Sequence, residues 1–462
     1  MRGINEECGV FAAFNIKDAS KVVFYGLHSL QHRGQEGCGI VSSNLEELKI
    51  IKGKGLLTEN FDEEQLNKLN GTLSMGHVRY STTGNNVIEN VQPFLFKHYT
   101  GDFALAHNGN IVNSHEIRRM LELKGSIFQS TSDSEILAHL IKKDQKTTRI
   151  EAITDALRMI EGAFAFIIMT KDKIYCCRDK HGLRPLSLAK LNEGYLVSSE
   201  TCAFDTVGAK YIRDINPGEI ITISKDKIES SYYSNFSKHM MCAMEYIYFA
   251  RPDSVIENIN VHKFRRESGK VLAHVKPVEA DIVVGVPDSS LSAAIGYSEE
   301  SGIPYEIGLL KNKYVGRTFI EPSQELREKA VRMKLSVIEQ VVKDKRIVLV
   351  DDSIVRGTTS RRIVNLLKES GAKEVHVRIA SPQITHPCFY GVDMNTYEQL
   401  ISARLSLEEI EKEINCDSLA FLDIKDLFKI AKRNELCTAC FSGKYPTNIY
   451  TSLEEANKDK KF

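Results

Sequence analysis

Residues 348–360 read VLVDDSIVRGTTS, and this stretch decides how the second half of the chain folds. A short apolar run ends in two adjacent carboxylates, Asp351 and Asp352. The turn Arg356-Gly357-Thr358-Thr359-Ser360 follows, and helical spacing begins at residue 361. Residues 346–350 fit a fully buried parallel strand. In open α/β sheets, ligands bind just beyond the carboxyl ends of such strands. Asp351 and Asp352 then stand where they can hold ribose hydroxyls or an Mg²⁺-bound sugar. Gly357 lets the backbone approach a ligand. Thr358, Thr359 and Ser360 add hydroxyls, and the free N–H groups of the next helix favour an anion. A diol site beside a phosphate site is what a ribose 5-phosphate requires. An ordinary strand with an Asp-rich helix cap would explain the two aspartates, but not the whole stretch.

The flanks repeat the pattern. Strands expected at 280–286, 346–350 and 374–380 alternate with helices at 261–274, 290–301 and 361–370, the βαβ rhythm of a parallel sheet. Helices are expected next at 407–414 and 418–424, then a Cys-x-x-Cys segment and a charged tail at 454–461. The strand at 281–286 runs into Pro287-Asp288-Ser289-Ser290 and should lie beside the first strand. Small hydroxyls and free N–H groups there suit pyrophosphate, although a plain serine helix cap reads as well. Residues 314–335, YVGRTFIEPSQELREKAVRMKL, are dense in Arg and Lys. A solvated helical face explains them, and so does a cationic lid that settles over bound pyrophosphate.

The stretch 348–360 resembles the phosphoribosyl-pyrophosphate (PRPP) motif of type I phosphoribosyltransferases. That resemblance implies that Ser289 joins Asp351 and Asp352 on Mg²⁺. It favours the lid for 314–335, with Lys334 as a contact to PRPP. It does not name the nucleophile that displaces pyrophosphate.

The first half is built differently. Residues 163–169 are apolar, 171–172 read as a turn, and 174–178 return as a hairpin partner. Helical patterns fall at 21–32, 134–142 and 150–160. A mixed α/β layered unit with antiparallel sheets is expected, ending in the polar stretch near 230–238. Cys8 opens the string CGVFAAF. A small buried residue at a strand start is the ordinary fate of a free cysteine. The other reading is an N-terminal nucleophile. Cleavage after Glu7 would give Cys8 a free α-amine, reference pKa ~7.7–8.0, to act as base for its own thiol.

The rest of the half-chain decides between these. It carries LHSLQHRG at 27–34, GHVRYST at 76–82, HNGN at 107–110 and SDSE at 132–135. With CGVFAAF, these resemble the class II glutamine amidotransferase domain, an N-terminal-nucleophile hydrolase with an αββα sandwich. The roles implied make chemical sense. Arg79 offers a fork for the α-carboxylate of glutamine, and Asp133 a counter-charge for its ammonium. Asn108 and the Gly109 N–H can form an oxyanion hole. Lys180, in the segment RDKHGLRPL at 178–186, stands where related domains more often have proline; a small change in the turn is expected, without effect on the chemistry.

Composition bounds the rest. The chain has 462 residues, room for two or three domains, with 61 Lys+Arg against 61 Asp+Glu. That balance gives no bulk charge for nucleic acid or an anionic membrane. No segment approaches the ~20 apolar residues that span a bilayer. The start, MRGINEE, has no apolar core and is not a secretory signal. Ten cysteines without such a signal suggest a reducing, cytoplasmic setting.

Four of those cysteines form a set. Cys437 and Cys440 are a two-residue-spaced pair, Cys242 opens CAMEYIYFARPDS, and Cys388 sits in PCFYG. Four thiolates hold tetrahedral Zn²⁺ or an iron–sulfur cluster, and their softness does not discriminate.

Up to its tail, the whole chain resembles the amidophosphoribosyltransferase family. The resemblance implies one Mg²⁺ and one [4Fe–4S] cluster per subunit, the latter on Cys242, Cys388, Cys437 and Cys440 as in the iron–sulfur branch. It implies glutamine and PRPP as substrates, purine nucleotides as feedback inhibitors at the PRPP site, a homotetramer, and ammonia passed from Cys8 to PRPP as the first committed step of purine synthesis. Expected segments are a leader at 1–7, a glutaminase unit at 8–230, a phosphoribosyltransferase unit at 231–400 and a C-terminal helical segment at 401–462. Two other classes stay open. A nucleotide-sensing regulator would show a damaged glutaminase half or a DNA-binding element. An amidotransferase with another acceptor would lack the PRPP stretch.

Overall fold

The structure is a computed structural model that describes residues 8–80, 87–99, 101–143, 148–225, 227–235, 238–312, 335–392, 394 and 396–447. Two antiparallel sheets lie at the heart of the first half. One has seven strands, with Gly9–Phe14 hydrogen-bonded between Gly194–Ser198 and Leu73–Arg79. The other has six, with Gly162–Met169 between Phe103–Ile111 and Ile174–Arg178.

Strand alternation sorts the side chains into layers. Val10, Ala12 and Phe14 face the second sheet and pack with Ala104, Ala106 and Ile167. Phe11 and Ala13 face outward onto Val23 and Leu27 of the helix Ala19–Ser29. On the far side, Phe164, Phe166 and Ile168 pack under the helices Glu135–Lys143 and Arg149–Met159. The order of layers is helix, sheet, sheet, helix. The expected helices lie within a few residues of those observed, and the 162–178 hairpin forms as read.

In the second half, four parallel strands run in the order Ile282–Gly285, Arg346–Asp351, Glu374–Ile379, Ser418–Phe421. Both faces of the second are covered. Ile347 and Leu349 pack against Ile363 and Leu367, while Val348 and Val350 pack against Leu272, Ala294 and Tyr297. That two-sided burial is why 346–350 reads as one unbroken apolar run.

Two expectations are corrected. Residues 418–424 are not a helix: Ser418–Phe421 is the edge strand of the parallel sheet, and the helix comes later, at Ile424–Ala431. Leu and Ala favour a helix locally, but pairing with the Glu374–Ile379 strand overrides that weak preference. A cut at 400 would therefore strip this sheet of a strand, and the segment 401–462 is not purely helical. Second, the helix expected at 361–370 runs from Thr358 to Glu369. Thr358, Thr359 and Ser360 are thus its first turn rather than loop, so their N–H groups have no intrahelical acceptor.

No helix among the described residues is long and apolar enough to cross a membrane.

Candidate active sites

Cys8 stands at the head of the Gly9–Phe14 strand. Gly9 pairs with Val78, and continuing that antiparallel register sets Cys8 opposite Arg79 at the end of Leu73–Arg79. The Cys8 Sγ lies 3.4 Å from the Tyr80 carbonyl oxygen, and its own carbonyl accepts from Arg33 Nε at 3.2 Å. Burial pushes the thiol pKa up; the charges of Arg79 and Arg33 pull it back, and Asp133 opposes them. All three charged groups are thus close enough to be felt at the sulfur.

Asp133 is anchored across the second sheet. Its Oδ2 accepts the Ile111 N–H at 2.8 Å, from the end of the strand Phe103–Ile111 that carries Asn108 and Gly109. Asn108 is fully buried, and neither its Oδ1 nor its Nδ2 has a hydrogen-bond partner among the described residues. Buried amides are almost always bonded, so this one is held ready for another group. Gly109 has φ +142°, and a Cβ there would run into the Ala163 carbonyl. Only glycine fits, and its N–H is presented at an angle other residues disfavour.

No histidine is set up as a base for Cys8 among the described contacts. His77 bonds through Nε2 to the His107 carbonyl at 3.0 Å, and burial holds its pKa down to about 3. His107 bonds through Nδ1 to Ser134 Oγ and stacks on Phe166; burial lowers its pKa as well.

The second cluster lies at the carboxyl ends of the Ile282–Gly285 and Arg346–Asp351 strands. Asp351 and Asp352 are both buried. Ser289 and Ser353 donate their hydroxyls to Asp352, and the Asp352 N–H donates to Asp351 Oδ1 at 2.9 Å. Burial, then the charge of Asp352, raises the Asp351 pKa; burial raises that of Asp352 against the pull of Ser289 and Ser353. Two adjacent buried carboxylates that resist ionising, with a hydroxyl reaching in from the neighbouring loop, form a donor set that a divalent cation would relieve. Arg356 donates to Gln399 Oε1 at 2.6 Å. Gly357 caps the helix Thr358–Glu369 with φ +75°, where a Cβ would press on Ile401. Thr358 and Thr359 are exposed, whereas Ser360 is buried. Lys334 and residues 314–334 of the expected lid lie outside the described residues.

The four cysteines of the set do meet. Cys242, Cys388, Cys437 and Cys440 all line one small apolar cavity with Leu183, Met244, Tyr390 and Val392. Cys242 bridges Cys437 through the backbone, and burial pushes the Cys437 thiol up to about 12 and raises those of Cys242 and Cys440 as well. Even so, among the described residues no three or more His, Cys, Asp or Glu side chains stand close enough to grip a single ion.

Charged residues that the sequence reading left without a role join the two halves. Arg33 and Glu245, both fully buried, form a two-pronged pair at 2.7 and 3.1 Å. Arg178 bonds Glu257 at 2.6 Å, and Glu257 also takes Arg433. Asn110 Nδ2 donates to the Phe389 carbonyl at 2.9 Å, one residue from Cys388. The available signal was an acid inside an apolar run, Glu245 in CAMEYIYFA, since such residues are buried only when paired. Lys180 pairs with Glu161 at 2.5 Å, within the first half.

Comparison with known proteins agrees with both halves. Residues 77–206 match the glutamine amidotransferase domain family, and residues 261–382 match the phosphoribosyl transferase domain family. An amidophosphoribosyltransferase of Bacillus subtilis is 54% identical over 457 residues, covering 97% of this chain and 96% of the relative. One of Staphylococcus aureus is 51% identical over 456 residues, covering 97% and 92%. The solved glutamine PRPP amidotransferase from B. subtilis, complexed with ADP and GMP, superposes with a TM-score of 0.92 at 54% identity, over 96% of this chain and 98% of that one. A structure described as the allosteric regulatory enzyme of purine biosynthesis superposes with a TM-score of 0.93, also at 54% identity, over 96% and 97%. The chain belongs to the amidophosphoribosyltransferase family, the enzymes of purine biosynthesis that use glutamine to aminate PRPP.

Proposed function

We propose that Cys8 is the glutaminase nucleophile and that the ammonia it releases attacks PRPP beside Asp351 and Asp352. The observation that carries this is the set around Cys8: Arg79 and Asp133 felt at the sulfur, and a buried, unpartnered Asn108 amide on the strand that Asp133 anchors. Glutamine binds with its α-carboxylate on Arg79 and its α-ammonium on Asp133. Among the described contacts, the burial-raised Cys8 thiol meets no histidine that could deprotonate it. We infer that residues 1–7 are removed, so that the new α-amine takes the thiol proton. The sulfur attacks the amide carbon, and Asn108 Nδ2 with the Gly109 N–H holds the oxyanion. The amine returns its proton to the leaving nitrogen, ammonia departs, and water cleaves the thioester to glutamate.

At the other site, ammonia attacks C1 of PRPP and pyrophosphate leaves, giving 5-phosphoribosylamine. Asp351, Asp352 and Ser289 would hold Mg²⁺, which when bound neutralises developing pyrophosphate charge. Arg356 and the N–H groups of Gly357–Ser360 cradle the 5-phosphate. A purine nucleotide presents the same ribose phosphate, so we place end-product competition here. The relative crystallised with ADP and GMP supports that reading.

We propose a glutaminase unit at 8–230 and a phosphoribosyltransferase unit that begins at 231 and extends past 400 to take in the Ser418–Phe421 strand. Ten free cysteines suit a cytoplasmic setting. A homotetramer is inferred from the family.

The single test is synthesis from PRPP and Mg²⁺ with glutamine or ammonia as donor, in wild type and Asn108→Ala. N108A should lower kcat for glutamine hydrolysis by about 10²–10³-fold with little change in KM. Ammonia-dependent synthesis should be untouched. A KM effect alone would remove Asn108 from the oxyanion hole.

For Cys242, Cys388, Cys437 and Cys440, we propose a cluster rather than a single ion. The support is four buried thiols that line one small apolar cavity. Its role is structural, tying 242 to 388 and 437–440. Anaerobically purified protein should contain about four iron and four sulfide per chain, and Cys437→Ser should lose both and unfold more readily. Stoichiometric zinc without sulfide would rule the cluster out.

A further inference from the structure

Three basic side chains that neither reacting site uses converge at the start of the strand Phe103–Ile111. Lys142 stands in the last turn of the helix Glu135–Lys143, and Arg149 opens the helix Arg149–Met159. Both lie over one buried ring: Lys142 Nζ is 5.0 Å from the centre of Phe103, and the Arg149 guanidinium carbon is 5.3 Å from it. Both also reach one turn. Lys142 Nζ donates to the Gly101 carbonyl at 3.3 Å, and Arg149 Nη2 lies 3.8 Å from where a Gly101 Cβ would stand. The Gly101 N–H donates to the His98 carbonyl at 2.9 Å, which brings His98 to the same place.

The neighbouring acids are already engaged. Asp102 Oδ1 accepts the His98 N–H at 3.1 Å, and Glu151 accepts the Thr148 N–H and hydroxyl at 2.8 and 2.7 Å. Among the described residues no carboxylate pairs with Arg149, which also faces the positive end of its own helix. The charges oppose one another. Burial, then Arg149, holds the Lys142 amine down to about 8, against the pull of Asp102. Burial, then Lys142 and Arg149, lowers the His98 pKa. Like charges gathered this way are what an anion would stabilise. The turn is open to receive one, since Tyr99, whose ring lies 4.5 Å from that of His98, is 78% exposed. It is also remote from the glutamine pocket: Asn108 stands further along the same strand, roughly 17 Å away at the rise of an antiparallel strand.

We propose that Lys142, Arg149 and His98 form a binding site for a phosphate-class oxyanion on the glutaminase half, apart from both reacting sites. Such an ion offers several acceptor oxygens and more than one negative charge. The Arg149 fork takes two oxygens, and the Lys142 ammonium and a protonated His98 add a point charge and a further donor. The bound charge favours the protonated forms of Lys142 and His98, so both hold their protons while the ion is in place. A free ion and the phosphoryl end of a larger ester present the same chemistry.

The Lys142 amine reports on the site directly. Full-length wild type is treated at neutral pH with a limiting acetyl succinimidyl ester, which acylates neutral amines, and peptide mass spectrometry reads each lysine. Without added anion, Lys142 should label about tenfold faster than Lys68, whose pairing with Glu64 raises its pKa. Inorganic phosphate at about 10 mM should slow Lys142 by about fivefold and Lys68 by less than about twofold, and chloride at equal ionic strength should slow neither. Glycerol phosphate is the second arm. Protection by inorganic phosphate marks a free ion as ligand, protection by glycerol phosphate marks the phosphoryl end of an ester, and either supports the site. Protection by neither, equal protection by chloride, or labelling of Lys142 no faster than Lys68 overturns it. So does phosphate protection that survives in Arg149→Ala. Should R149A not fold, the comparison of phosphate with chloride on wild type decides alone.

Discussion

Cys8→Ala should lose glutamine hydrolysis and glutamine-dependent synthesis by more than about a thousandfold, yet retain synthesis from ammonia within about twofold. Among the described residues, the Cys8 sulfur is the nucleophile at the head of the Gly9–Phe14 strand, within reach of the charges of Arg79 and Asp133. Binding and the oxyanion donors survive its removal, which leaves a small residual rate at most. The second half keeps its own sheet and carboxylates, so added ammonia at alkaline pH reaches C1 of PRPP without Cys8. The fold should tolerate the change, because Cys8 is only half-buried and heads its strand. Intact mass gives an independent reading: active wild type should begin at Cys8, having lost residues 1–7. An active enzyme that keeps the leader would leave the thiol without a base. Loss of ammonia-dependent synthesis in C8A would show that the two halves do not work separately.

The sequence shows the two halves unequally. Residues 346–350 are readable because burial on both faces demands an unbroken apolar run, and Ile347 to Val350 do divide between two cores. Asp351, Asp352, Gly357 and the 107–110 string are readable because their chemistry depends on local order. The 418–424 stretch is not, since only the neighbouring strand decides that Ser418–Phe421 extends. The Thr358 helix start is also missed, because Gly357 in a left-handed conformation lets the helix begin sooner than the apolar periodicity suggests. Long-range partners are the least visible. Nothing local to Arg33 announces Glu245, 212 positions away, and nothing near Cys388 announces Cys242. Such groups show only as charges or thiols in unusually apolar surroundings.

Asp351→Asn should abolish synthesis with either nitrogen donor, by more than about a thousandfold, and at the same time raise the thermal stability of the ligand-free protein. Both effects come from one arrangement. Burial and the neighbouring carboxylate raise the folded pKa of Asp351 above its unfolded value near ~3.9. A carboxyl raised on folding contributes stability that is complete below the unfolded pKa and is lost as pH rises through the folded one. As pH rises toward neutral, ionising the pair therefore opposes folding. Asparagine keeps the shape, accepts the Asp352 N–H, and carries no charge. The midpoint at pH 7 should rise by roughly 2–6 °C, and the gain should vanish near pH 4. Millimolar Mg²⁺ should stabilise wild type by neutralising the pair and should leave D351N unmoved. Glutamine hydrolysis at Cys8, measured without PRPP, should persist. A D351N protein less stable than wild type at pH 7 would mean that the pair is structural, and that its burial is compensated by contacts other than a metal-bound sugar.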